Sequence, residues 1–75
     1  MIDIGDIVVT NKYIKTIGYP EGLKGFVAKY GMGSNVCIKL DKPYNGRFHL
    51  WVWTGHVNVI GRLGEGEYND GETNS

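Results

Sequence analysis

The sequence predicts an all-β fold, a single small barrel of five short strands. Two observations carry that expectation. Twelve glycines are spread along 75 residues, nine of them within the first 61, at intervals too short for a long helix. Between the glycines lie short runs of Val, Ile, Phe, Tyr and Trp, side chains that suit a pleated, half-buried surface.

The first strand is Ile7 to Thr10, opened by the turn pair Gly5 and Asp6. A long connection follows over residues 11 to 24, where Asn11, Gly18, Pro20 and Gly22 supply turn chemistry and Tyr13 and Tyr19 are embedded apolar anchors. Gly25 to Tyr30 is the second strand, and Gly31-Met32-Gly33-Ser34 a flexible reversal. Val36, Ile38 and Leu40 then alternate with Cys37 and Lys39, the period of a third strand with one buried face. Asp41 to Gly46 reads as a hairpin turn, since proline presets a turn dihedral and Asn-Gly supplies positive φ. In the fourth strand, Arg47 to Trp53, alternation sets Phe48, Leu50 and Val52 inward and His49, Trp51 and Trp53 outward. Thr54-Gly55-His56 is one tight helical turn before a closing strand, Val57 to Ile60. Residues 62 to 75 lack apolar periodicity and read as a flexible acidic tail beyond a barrel of residues 1 to 61.

This order of elements is that of a small SH3-like barrel. The words Gly5-Asp6-Ile7-Val8 and Gly22-Leu23-Lys24-Gly25-Phe26-Val27, followed by Val36 to Leu40, resemble the openings of KOW and related bacterial SH3-like domains. On that likeness Val8, Val27 and Ile38 meet in the core. The run from Val36 to Gly46, with the closing Phe48 to Ile60, is similar to the electron-transport accessory barrels, namely the photosystem I accessory subunit and the ferredoxin:thioredoxin reductase variable chain. None of the docking residues of those subunits has a match here. Signalling SH3 domains differ specifically: Asn35 and Val36 stand where the groove tryptophan begins its strand, and Thr54-Gly55-His56-Val57 replaces the Pro-x-x-Tyr element, which argues against a polyproline ligand.

The formal charge is zero, with eight cations and eight anions. It divides unevenly: residues 1 to 61 hold seven Lys or Arg against four Asp or Glu, a balance of +3, and residues 62 to 75 hold one against four, a balance of −3. Neither a strongly basic nucleic-acid arm nor an acidic mimic is present. A lone Cys37 forms no internal disulfide, and no apolar run reaches the length of a membrane span, which suits a reducing cytoplasm.

A domain of about 60 residues buries roughly 60% of its unfolded surface, leaving little volume for an enclosed catalytic cavity. Cys37 and His49 face each other if Leu40 pairs with Gly46, but a shift of two puts Trp51 opposite Cys37, and no third group orients the pair. Cys37, His49 and His56 match no zinc spacing, and Gly31-Met32-Gly33 lacks the remainder of a dinucleotide loop. No cofactor, metal or enzymatic activity is expected.

What remains is the outward face of Trp51, Trp53 and His49, extended by Tyr13, Tyr19, Tyr44 and Arg47. Either these rings form an aromatic binding surface, or the long loop folds over them as a second small cluster. The surface reading predicts a protein-interaction module, an accessory subunit or a small inhibitor of the kind phages and plasmids encode. Nucleic-acid or small-nucleotide binding is the alternative, on the barrel's +3 balance and the Lys12-Tyr13, Lys29-Tyr30 and Lys42-Pro43-Tyr44 interleaving. Self-association stays open, and no membrane partner is expected.

Overall fold

The computed structural model describes residues 2–67. They form one antiparallel sheet of β1 (Asp6–Thr10), β2 (Lys24–Tyr30), β3 (Asn35–Tyr44), β4 (Arg47–Trp53), β5 (Val57–Arg62) and β6 (Gly66–Glu67). The spatial order is β4-β3-β2-β1-β5-β6, so four consecutive strands meander and β5 returns beside β1. This all-β arrangement is compatible with a barrel-like fold.

Alternation places the core. Val8, Val27 and Ile38 are buried together with Val36, Leu40, Leu50, Val52 and Val57. Strand approach is close enough to demand glycine at one point: a Cβ on Gly25 would lie 2.2 Å from the Lys39 carbonyl oxygen.

The long connection is more ordered than its composition suggests. Lys12–Ile17 is a 3-10 helix, capped by the Asn11 side chain, which accepts from the Tyr13 N–H, and closed by Gly18 at φ 94°. Its anchor is Ile14, which is fully buried, rather than Tyr13, which is exposed. Thr10 ties down the base of the loop: its hydroxyl donates to the Pro20 carbonyl (2.9 Å) and accepts from the Leu23 N–H (2.8 Å).

The hairpin between β3 and β4 corrects two expectations. β3 runs on to Tyr44, and the turn is only Asn45 and Gly46, both at positive φ (50° and 80°). Tyr44 pairs with Arg47 and Lys39 with His49, so Leu40 to Pro43 bulge opposite Phe48 alone. The bulge shifts the register, and Cys37 faces Trp51, not His49. Phe48, opposite the bulge, is exposed rather than part of the core.

At the C-terminal end the sheet runs past residue 61. Arg62 closes β5, and Gly66–Glu67 pair back onto Gly61 and Arg62. The Arg62 guanidinium lies 3.0 Å from the buried Asp6 carboxylate and 3.4 Å from Asp3. Asp6 is the main cause of a raised Arg62 pKa, with Glu65 and Asp3 adding to it. The guanidinium therefore keeps its charge into strong alkali. Residues 1 to 67 hold eight cations and six anions, a balance of +2. The rest of the expected tail, 68 to 75, lies outside the described residues.

Candidate functional site

Three aromatic residues on β4 point away from the core or lie at its margin, and two of them line a groove. Trp51 is 51% and Trp53 62% exposed. The first 3-10 helix brings Thr16 and Ile17 to the same place, and the groove between them, about 320 Å³, is also lined by Asn35, Val52 and His56. Ile17 is 45% exposed there. The long loop thus walls the tryptophans without covering them.

Asn11 sets this geometry. Its Nδ2 donates to the Gly55 carbonyl (3.0 Å) and to Asn58 Oδ1 (3.2 Å), and its N–H donates to the His56 carbonyl (2.9 Å). One side chain therefore caps the first 3-10 helix and ties it to the second, Thr54–His56. His56 is buried, its Nδ1 accepts from the Trp53 N–H (3.2 Å), and its ring stacks on Trp53 with centroids 5.5 Å apart at 3°. The hydrogen bond puts the proton of a neutral His56 on Nε2.

Across the sheet, cross-strand partners share a face. One row is Phe26, Lys39 and His49; the next is Lys29, Cys37 and Trp51; Asn35 sits opposite Trp53. Lys29 Nζ lies 5.7 Å from the centre of the Trp51 ring. Because Lys29 and Trp51 flank Cys37 on either side and meet each other, they arch over the thiol, which is 2% exposed. Gly31 leaves room for the indole, since a Cβ there would stand 2.6 Å from Trp51 Cζ3.

The other predicted residues fall elsewhere. Tyr19 and Tyr44 are partly buried against the core and meet edge to face, centroids 5.8 Å apart at 73°. Arg47 is exposed opposite Tyr44 at the far end of β4. Tyr13 is exposed on the first 3-10 helix with Lys12 Nζ 5.3 Å from its ring centre. His49 is exposed beside Lys39, one row from Trp51. Ile17, Asn35 and His56 were not anticipated as groove residues: Ile17 and His56 arrive through 3-10 turns that no local periodicity encodes, and Asn35 through its pairing with Trp53 at the start of β3.

Among the described residues no group of three or more His, Cys, Asp or Glu could hold a metal ion. Among them, no helix is long and apolar enough to cross a membrane. Comparison of the chain with protein-family models, with curated proteins and with solved structures finds no match.

Proposed function

We propose that the chain is an SH3-like barrel that acts as a non-catalytic protein-interaction module, its docking site the groove between Ile17, Trp51 and Trp53. The observation that carries the reading is the set of three large apolar side chains, each about half exposed, held open on a frame of hydrogen bonds from Asn11 and His56. Rigid aromatic walls around a small apolar cleft are the usual anchors of protein recognition, giving contact area at low entropic cost. Catalysis is not part of the proposal: Cys37 is buried and faces an indole rather than a base. An accessory subunit and a small inhibitor of a larger enzyme both fit such a module.

Affinity capture from the producing cell, with the full chain as bait, tests it. A protein recovered by the wild type and lost with Trp53→Ala, at unchanged thermal stability, supports the reading; equal recovery refutes it. Nucleic-acid or nucleotide binding is the second reading, favoured by Lys29, Lys39 and His49 on the face of Trp51. One face of each indole is already engaged, Trp53 by His56 and Trp51 by Lys29, which leaves poorer stacking platforms for bases. Native mass spectrometry of the purified chain separates the two by the species retained.

A further inference from the structure

The charges around the groove are one-sided. Neither the groove nor the rows of the sheet beside it contain a carboxylate, whereas Lys29, Lys39 and His49 stand in those rows. None of the described acids lines the groove. Asp3 and Asp6 are held by Arg62, Glu21 by Lys15 at 3.4 Å, Glu65 follows β5, and Glu67 belongs to β6, at the other end of the sheet order from β4. Asp41 lies six residues along β3 from Asn35, about 20 Å at strand rise.

Asn35 adds a second constraint. It lines the tryptophan groove and also a neighbouring cleft of about 580 Å³ bounded by Ile2, Tyr30, Ser34, Thr54 and Val59. Among the described residues its side-chain amide makes no hydrogen bond, although its main chain is paired with Met32 and Gly31. A primary amide offers a donor and an acceptor side by side, the complement of one peptide unit of an extended chain. Two adjoining clefts separated by such a group suit successive side chains of one strand-like segment.

We propose that the groove receives an extended, acidic segment of the partner protein. One apolar side chain of the segment seats between Ile17, Trp51 and Trp53, its carboxylates face Lys29 and Lys39, and its main chain meets the Asn35 amide. This rests on the protein-interaction reading and names the chemistry of its partner. Charge complementarity is the ground for choosing an acidic segment over a neutral or basic one.

The test is selection of random twelve-residue peptides displayed against the full chain, with the Trp53→Ala chain as counter-selection. The expected consensus is a single Phe, Leu or Trp among Asp and Glu. The peptide so obtained, made synthetically, loses about tenfold in affinity against the Lys29→Glu, Lys39→Glu double variant, and weakens between low and high salt. Asn35→Ala costs it roughly three- to tenfold. Both lysines are exposed, and an unchanged melting temperature shows that the double variant is folded. A neutral or basic consensus overturns the proposal, as does no consensus above the counter-selection, affinity indifferent to the two lysines, or tighter binding of a twelve-nucleotide oligothymidylate. If Trp53→Ala abolishes capture of the cellular partner and the lysine variant does not, the acidic segment fails while the interaction module stands. If Trp53→Ala leaves capture intact, the module itself fails.

Discussion

Gly31→Ala tests whether the groove depends on the seat of Trp51. The main chain at Gly31 is not at positive φ, so alanine meets no backbone strain there. The new methyl would stand 2.6 Å from Trp51 Cζ3 and 3.2 Å from Asn35 Cβ. Carbon atoms in contact sit about 3.6 Å apart, so the far edge of the indole must retreat by about 1 Å. A swing of that size about a side chain some 6 Å long is about 10°, well inside the ~30° that costs of order 0.5–1.5 kcal/mol. The ring is half exposed and free to yield, so stability falls by less than about 1 kcal/mol, or under about 8 °C in melting temperature for a domain this size. Binding responds more strongly, because the displaced ring is a groove wall and the cover of Cys37. The assay pairs a melting curve with partner capture and with tryptophan emission, which shifts as Lys29 and the indole separate. A fall of 15 °C would refute the reasoning, by showing that Trp51 is as rigid as the core; unchanged capture and emission would show that its position is irrelevant.

Gly25→Ala provides the contrast: its methyl meets the Lys39 carbonyl at 2.2 Å and Leu40 Cα at 2.9 Å, backbone that cannot swing aside, so about 3 kcal/mol or more is lost and the melting midpoint drops by over about 10 °C. Thr10→Val keeps the shape but strands the Leu23 N–H and Pro20 carbonyl, costing about 1–3 kcal/mol by denaturant titration and loosening the loop that carries Ile17. Arg62→Ala lowers the melting temperature more than Lys15→Ala does, because it deserts the buried Asp6 whereas the Lys15–Glu21 pair is exposed at both ends. Cys37 in the native chain reacts with a thiol reagent far more slowly than in denaturant, and Lys29→Ala or Trp51→Ala speeds the native reaction by opening the arch above it.

The strands were legible because branched and aromatic residues alternate with period two, and Val36, Ile38, Leu50 and Val52 obey that period. Phe48 obeys it in sequence yet is exposed, because the β3 residues opposite it, Leu40 to Pro43, bulge; such a bulge has no period to read. The first 3-10 helix hid behind Asn11 and Gly18, residues that signal a turn as readily as a cap. Arg62 looked like the start of an unstructured tail because the partner that orders it, Asp6, lies 56 residues away. For the groove, the outward direction of Trp51 and Trp53 followed from alternation alone, whereas Ile17 and His56 join them only through the Asn11 bridge.

The position of β4 at the end of the sheet order has a consequence for solubility. Among the described residues β4 pairs with β3 alone, and it displays Phe48, Trp51 and Trp53 beside a row of main-chain groups that no strand satisfies. Such an edge is a template on which copies add to one another in concentrated solution. The chain carries two deterrents at one end of it: the bulge of Leu40 to Pro43, which interrupts a flat ladder, and the exposed charge of Arg47. Toward Trp53 neither device is present, and there Ile17 and His56 rise beside the tryptophans as groove walls. The same loop that shapes the groove therefore also limits how flat a surface two molecules can share.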